Sequence, residues 1–355
     1  MRENNGKSIG VVLLNLGGPD SLSSVRPFLY NLFSDRGIIR LGPSFLQKSI
    51  AWLISGYRSK KSEEMYSLIG GKSPIFEITT AQAEALEKAL NTEVEKIGSL
   101  EDKISSTSQP LNFLTSSFKV YVGMRYWYPY ISDTVDKIRS DGIEQVVVLS
   151  LYPHYSKATT GSSVAEFKRV ISRFTIPSKQ PAGRHDSRFT VKYIDQWYDF
   201  PLYIDALSDR IAEGMSKFKG KTFDILYSAH SLPESFIKQG DPYLDHIKST
   251  IKAVNPSIGK WHLSFQSRSG PVKWLQPDTE ETIIRLAKGG VKNLLVVPIS
   301  FVSDHIETLY EIDIYYKKIA KSYGINLKRC ESLNLSEKFI NALKELVLEK
   351  LKESE

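Results

Sequence analysis

The chain has 355 residues, 41% of them hydrophobic and 25% charged, with a net charge of +7 from 47 basic and 40 acidic side chains. That length suits two domains of ordinary size, and the composition is that of a globular chain. A single cysteine, Cys330, excludes an internal disulfide framework and any cluster held by four thiolates of one chain. No apolar stretch approaches the ~20 residues needed to span a bilayer. The N-terminus, MRENNGKSIG, carries neither an apolar signal core nor an Arg-rich amphipathic pattern, so we expect a cytoplasmic protein. The positive excess allows an anionic partner, but a solvated basic surface explains it as well.

In chain order, GVVLLNLGGPD (10–20) reads as a strand stopped by a Gly-Gly-Pro turn. PSFLQKSIAWLISGYRSKK (43–61) combines Phe45, Leu46, Ile50, Trp52, Leu53 and Ile54 with a basic end. It reads either as an amphipathic helix packed on the core or as a lip that touches lipid. Residues 94–118 are Ser/Thr-rich and weakly patterned, which predicts a surface insertion. KVYVGMRYWYP (119–129) is a further strand, followed by a charged amphipathic helix and the apolar strand of 131–156. FDILYSAHSLPE (223–234) and KWHLSFQSRSG (260–270) are strands that break into polar residues. The helical pattern and apolar run of 279–304 complete a second series. SEKFINALKELVLEKLKESE (336–355) predicts a terminal amphipathic helix capped by Ser336 and docked on one of the domains.

The two series echo each other. Each runs strand, loop, amphipathic helix, strand, and each ends in a loop bearing a histidine, His154 or His305. This alternation predicts parallel βαβ units, and the echo predicts two similar α/β halves. The boundaries expected are 1–189 plus 334–355 for the first half and 190–333 for the second. In open parallel sheets ligands sit beyond the carboxyl ends of strands, where all these polar loops fall.

Three motifs mislead. GGKS (70–73) lacks the glycine a phosphate-binding loop needs five residues before Gly71, where Tyr66 stands, and Pro74 follows at once. LGGPD lacks dinucleotide-binding spacing, and SAHS (228–231) lacks a nucleophile elbow. No HExxH or CxxC occurs. What remains is His230 at one strand end and Asp304, His305, Glu307 and Glu311 at another. A lone histidine at a strand end is usually a structural hydrogen bonder, but two sibling strands ending this way change the balance. Glu307 and Glu311 are four apart and align on a helix face, whereas His305 and Glu307 share a pocket only where the chain is extended or just entering a helix.

At these residues the sequence resembles the ferrochelatases, which insert ferrous iron into a porphyrin. The matching stretches include LLNLGGPDSLSSVRPFLYNLFSDR (13–36), YSLIGGKSPI (66–75), VGMRYWYP (122–129), YPHYSKATTGSS (152–163), SAHSLPESFIKQGDPY (228–243), FQSRSGPVKWLQP (265–277) and PISFVSDHIETLYEID (298–313). The resemblance implies an α/β fold of two Rossmann-like, chelatase-type domains with parallel sheets around a porphyrin cleft. It implies that His230 takes pyrrole protons or contacts metal and that Glu307 faces it as the metal-handling carboxylate. Asp304, His305 and Glu311 would support them. Arg125 and Tyr126 match an opposite wall, with Arg125 a candidate for metal admission or substrate contact. Arg58, Tyr66 and Ser73 match propionate and rim contacts, Asn15 and Leu16 match residues under the macrocycle, and Trp274 matches a ring-packing aromatic.

These residue types suit the chemistry. Metal cannot enter a free-base porphyrin until the ring buckles and two N–H protons leave. A neutral histidine accepts a proton near pH 7, a carboxylate holds Fe²⁺ briefly, and an apolar cleft turns macrocycle burial into ring distortion. The implied partners are protoporphyrin IX and Fe²⁺, with peripheral contact to an anionic membrane, no nucleic acid and a monomeric chain. No cofactor is expected and no iron–sulfur cluster, since Lys157 stands where animal members place a cluster cysteine. Tyr315 replaces an outer carboxylate of the acidic row. The competing readings are a coproporphyrin- or cobalt-using chelatase and a non-enzymatic haem carrier. His185 and His246, away from strand ends, are expected to tolerate substitution.

Overall fold

The computed structural model describes residues 8–39, 41–101, 116–175, 189–254, 260–268, 270 and 272–353. The chain runs β1 (Ile9–Asn15), α1 (Val25–Ser34), α2 (Gln47–Ser67), α3 (Ile75–Glu101), β2 (Phe118–Met124), α4 (Ile131–Ser140), β3 (Gln145–Ser150), α5 (Ser162–Thr175) and β4 (Thr190–Ile194). It continues through α6 (Pro201–Ser216), β5 (Asp224–His230), α7 (Glu234–Lys238), α8 (Tyr243–Val254), β6 (Trp261–Gln266), α9 (Thr279–Lys288), β7 (Asn293–Pro298), α10 (Lys317–Ser322), β8 (Asn326–Arg329) and α11 (Glu337–Lys352). Two π-helical segments, Lys157–Gly161 and Glu307–Tyr316, follow β3 and β7.

Two four-stranded parallel sheets form, in the orders β2-β1-β3-β4 and β6-β5-β7-β8. The topologies are identical, which is the structural form of the echo. The central strand β1 (IGVVLLN) is buried along its whole length because helices cover both sheet faces, so it shows no polar alternation. In each sheet the order reverses between the first and third strands. A crevice opens there at the strands' carboxyl ends. In the second sheet that point lies between β5, which ends at His230, and β7, which leads to Glu307.

Three expectations change. β4 pairs with β3, so a division at 189/190 would detach the last strand of the first sheet, and the sheets divide the chain between 194 and 224 instead. Residues 94–101 continue α3 and Phe118 opens β2, so these parts of the expected insertion are regular structure, while 102–115 lie outside the described residues. The terminal helix docks on both halves, touching α3 and β4 on one side and α6 on the other. Its buried stripe of Phe339, Leu343, Leu346, Val347 and Leu351 joins one core with Val11, Leu13 and Val147 of the first sheet and Tyr227, Leu295 and Val297 of the second. Each such side chain contributes roughly 1.5–3 kcal/mol of burial, so the two halves are welded by a shared middle layer. Ser336 occupies the N-cap, but its hydroxyl makes no cap hydrogen bond.

The loop after β3 forms a second seam. His154 is buried and its Nε2–H donates to Thr250 Oγ1 on α8 at 2.9 Å, since the Thr250 hydroxyl is committed to the Tyr198 carbonyl. The Tyr155 amide donates to His246 Nδ1 at 3.2 Å, and His246 stacks on Tyr198 with ring centroids 3.8 Å apart. Asp241 accepts from Ser156 Oγ and from the Lys157 amide. His246 is therefore a buried seam residue and not a replaceable surface histidine, while His185 lies outside the described residues.

Burial, reinforced by the nearby His246, pushes the His154 imidazole down to about 3. An unfolded imidazole titrates near 6.5, so between these values the unfolded chain binds more protons and stability falls as pH drops. The thermal midpoint should decline over that window, and less steeply in His154→Gln. Equal slopes in the two proteins would place the acid sensitivity elsewhere.

Candidate active site

Three strand ends of the second sheet meet the π-helix. His230 closes β5, and its Nδ1 lies 2.9 Å and 3.0 Å from the two carboxylate oxygens of Glu307. Gln266 closes β6, and Ser267 follows it. The Ser267 hydroxyl lies 2.6 Å from Glu307 Oε2 and 2.6 Å from Glu311 Oε2. Gln266 Nε2 donates to the Glu307 carbonyl at 3.0 Å and to Glu311 Oε2 at 3.1 Å. Its own carbonyl is fixed by the Ser228 hydroxyl at 2.6 Å. Glu307 opens the π-helix, whose wider turn lines up residues four apart, so Glu307 and Glu311 face the same hydroxyl.

One proton is written into this geometry. A serine hydroxyl donates once, so both 2.6 Å contacts are hydrogen bonds only when one carboxyl is protonated. Burial and the neighbouring Glu307 charge push Glu311 up to about 8, making it the proton holder. Burial also works against ionised Glu307, but the charge and hydrogen bond of His230, with His305 and Ser267 behind, outweigh it and hold Glu307 well below the usual carboxylate range. Burial pulls His230 down, yet Glu307 and Glu311 raise it on balance. These directions together favour a proton on His230 facing ionised Glu307, and a second proton on Glu311. His230 keeps 33% of its side chain exposed, and its Nε2 has no hydrogen-bond partner among the described residues. Among those residues no group of three or more His, Cys, Asp or Glu side chains is preassembled around a metal position.

His305 and Asp304 take different parts. His305 Nδ1–H donates to the Ser303 carbonyl, leaving Nε2 bare and buried, 3.9 Å from Glu307 Oε1. Burial holds this imidazole below its ordinary value, so it lines the site as a neutral ring. Phe301 sits edge-on to both His230 and His305. Asp304 turns away from the pair. It accepts from Arg329 at 2.8 Å, Ser332 at 2.8 Å, Asn334 at 2.9 Å and Thr308 at 3.0 Å, stapling the loop to the chain after β8. Its support of Glu307 is thus mechanical.

The first half supplies the facing side. Tyr66 and Tyr152 are buried phenols raised mainly by burial, with a further push from the Glu307 charge, which puts both within its electrostatic reach. Ile306 packs on the α1–α2 cluster that holds Tyr66. Asn15 is buried, donating to Thr79 and accepting from Tyr152 and the Leu16 amide, with half-buried Leu16 next to it. Ser73 is buried against the Gly-Gly-Pro turn, so close that a Cβ on Gly18 would lie 2.6 Å from its side chain. Both residues shape the floor rather than present free polar groups.

Four expected contacts have their own partners outside the His230–Glu307–Glu311 group. Arg125 is tied to Asp35 at 2.7 Å and Ser162 at 2.9 Å, and the Tyr126 hydroxyl donates to the same Asp35 oxygen at 2.7 Å. Both line a groove of ≈ 340 Å³ with Asn31, Lys48, Tyr130 and Glu166. The Arg58 guanidinium lies over the Phe33 ring. Trp274 is half-buried, paired through its backbone with Pro233, and its indole N–H reaches the Gly270 carbonyl at 3.5 Å. Tyr315, in place of the outer carboxylate, donates to Glu280 on α9 at 2.7 Å. Sequence reasoning passed over Gln266, Ser267 and Asp35. The first two were within reach, because they end a strand whose siblings end in the predicted site.

Two duplicated parallel sheets, with a histidine–carboxylate pair at the second sheet's crevice, are the marks of a metal chelatase. The ferrochelatase family model matches residues 8–351. A ferrochelatase of Geotalea uraniireducens (strain Rf4) is 51% identical over 341 residues, covering 95% of this chain and 96% of that protein. Ferrochelatases of Desulfotalea psychrophila (strain LSv54 / DSM 12343) and Gloeobacter violaceus (strain ATCC 29082 / PCC 7421) are 49% and 44% identical, covering 96% and 97% of this chain and 96% and 98% of theirs. Among solved structures, SirB from Bacillus subtilis with Fe3+ aligns with a TM-score of 0.51 at 12% identity, covering 98% of this chain and 97% of that one, a likeness of fold alone. The chain belongs to the ferrochelatase family: it is an enzyme that inserts metal into a porphyrin in haem synthesis.

The Asp304 staple makes a stability prediction. Burial opposes its charge, but Arg329, Asn334, Ser332 and Thr308 win and hold its carboxyl below the ordinary range. Its contribution is present above that range and lost as pH falls through the depressed value. Asp304→Ala leaves Arg329 partly uncompensated and should cost roughly 3 kcal/mol. Denaturant unfolding with an unchanged midpoint would refute the staple.

Proposed function

We propose that the enzyme inserts Fe²⁺ into protoporphyrin IX, with His230 and Glu307 at the reacting centre and Glu311 as proton reserve. The observation that carries this reading is the His230–Glu307–Ser267–Glu311 chain, a base, an ionised carboxylate and a neutral carboxyl in continuous contact. Ionised Glu307 offers the negative charge that an arriving dication needs. That dication lowers the proton affinity of every group near it, so His230 becomes neutral and able to take a pyrrole proton. The protons that His230 and Glu311 hold at rest leave to solvent as the dication arrives, so His230 takes one pyrrole proton and the second passes to Glu307 and on to the vacated Glu311 carboxylate. Buried Tyr66 and Tyr152 and half-buried Phe301 supply apolar walls against which the macrocycle is held while its ring buckles.

His230→Ala should leave porphyrin binding largely intact, because ring burial supplies most of that affinity, and should lower anaerobic iron insertion by at least ~10²-fold. Glu307→Gln should slow insertion and raise the KM for iron. Wild-type turnover in either variant would sink the assignment. The same assay should give a higher kcat/KM for protoporphyrin IX than for coproporphyrin III, the reverse ratio favouring the coproporphyrin branch.

The lip supports the protoporphyrin assignment and a peripheral membrane position in the cytoplasm. Over residues 47–59 of α2 the buried residues are small or polar, Gln47, Ala51, Ser55 and Ser59, with Tyr66 buried at the far end, while Trp52, Leu53 and Tyr57 are 57%, 62% and 90% exposed and neighbouring Phe45 is 79% exposed. This inverted pattern suits contact with lipid and admission of an apolar tetrapyrrole, with Lys60 and Lys61 facing anionic headgroups. No helix among the described residues is long and apolar enough to cross a membrane. The enzyme should float with anionic vesicles at low salt, and Trp52→Ser/Leu53→Ser should not. Absence of flotation in both would end the idea. No iron–sulfur cluster belongs to this reading: Cys330 is buried and its thiol is pushed up to about 12, unsuited to thiolate ligation.

A further inference from the structure

Ser267 has a backbone that serine rarely adopts. Its φ is +65°, in the left-handed region. Two other described residues that are not glycine share that region, and both are easily explained. Lys219 precedes Gly220 in the turn after α6, and Asn334 is a residue type that tolerates it. Ser267 has neither excuse, and a strained residue persists where something else fixes it. Here the strain aims the hydroxyl between Glu307 Oε2 and Glu311 Oε2, 2.6 Å from each. Among the described residues no other side chain bonds both carboxylates. His230 bonds Glu307, and Gln266 reaches only the Glu311 carboxylate and the Glu307 backbone.

We propose that Ser267 is a positioning residue for iron insertion, a strained hydroxyl clip that holds the Glu307 and Glu311 carboxylates at a fixed separation for the incoming metal. The proposal rests on the reading that Glu307 handles iron. Charge-assisted hydrogen bonds of this kind are the strong ones, and without the clip two buried acidic side chains relax independently. The macrocycle contacts, carried by Tyr66, Tyr152 and the lip, do not pass through Ser267.

The test uses Ser267→Gly and Ser267→Ala in the full chain, assayed anaerobically with Fe²⁺ and protoporphyrin IX. Glycine removes the hydroxyl and also relieves the backbone, so Ser267→Gly should raise Tm by roughly 1–3 °C. The same variant should raise the KM for iron about tenfold while the porphyrin Kd, from quenching of protein fluorescence, stays within about twofold. Ser267→Ala should show the same KM change without the gain in Tm. A more stable protein with weaker iron handling is a pattern that a purely structural serine would not give. Wild-type iron kinetics in both variants, or a lower Tm together with weaker porphyrin binding in Ser267→Gly, would overturn the proposal. Glu307→Gln serves as the control: if it too turns over normally the iron assignment itself fails, whereas a slow Glu307→Gln beside normal serine variants sinks the clip alone.

Discussion

Two carboxyl groups buried within reach of one hydroxyl repel each other when both are ionised, and here burial and the Glu307 charge raise Glu311. Every other feature of the site follows from how the fold manages that constraint. His230 neutralises Glu307 from one side, and Glu311 keeps a proton on the other. Ser267 and Gln266 supply the remaining donors. On the proposed reading the arrangement is poised against itself: a dication delivered here would relieve the repulsion and displace protons at the same step. A site meant to release its metal into a porphyrin gains from incomplete, strained ligation, whereas a carrier built around a single axial ligand would have no use for the acidic pair.

The rigidity behind this pairing comes from several layers. The π-helical turn sets the four-residue alignment, and the Asp304–Arg329 staple fixes where that helix begins. The Ser228–Gln266 bond ties the β5 and β6 strand ends together beneath it. The middle layer of α3, α6 and α11 joins both sheets in one apolar core, so Tyr66 and Tyr152 stay opposite Glu307. The α1–α2 hairpin sits over the crevice and touches the site loop through Ile306. Its outward-facing Trp52, Leu53 and Tyr57 give it an exposed apolar face.

The central strands, the duplicated halves and the histidine–carboxylate constellation were legible because they follow from local composition and from order along the chain. Val-, Leu- and Ile-rich runs between turns announce buried parallel strands, and polar loops at their ends announce a crevice. β4 and β8 were harder to see, being short edge strands, TVKYI and NLKR, with weak apolar signatures. The assignment of β4 to the first sheet depends on tertiary pairing that no boundary composition reveals. The resemblance made Arg125 a candidate for metal admission or substrate contact, but its ion pair was not legible, because its partner Asp35 lies 90 residues away in sequence. Asp304 was expected to support Glu307, but the form of that support was not legible, because its hydrogen bonds run to residues 329–334. The strain at Ser267 is invisible in sequence, since nothing in QSRSG distinguishes a left-handed serine from an ordinary one.

The central claim is that near neutral pH a single proton sits on the carboxyl pair, and on Glu311. Infrared difference spectroscopy of the resting enzyme, in the carbonyl-stretch region of neutral carboxylic acids, reads this directly. The account predicts a band that disappears in Glu311→Gln, persists in Glu307→Gln and bleaches when a divalent metal is added to the wild type. A band abolished by Glu307→Gln and untouched by Glu311→Gln, or no such band near pH 7, would contradict it.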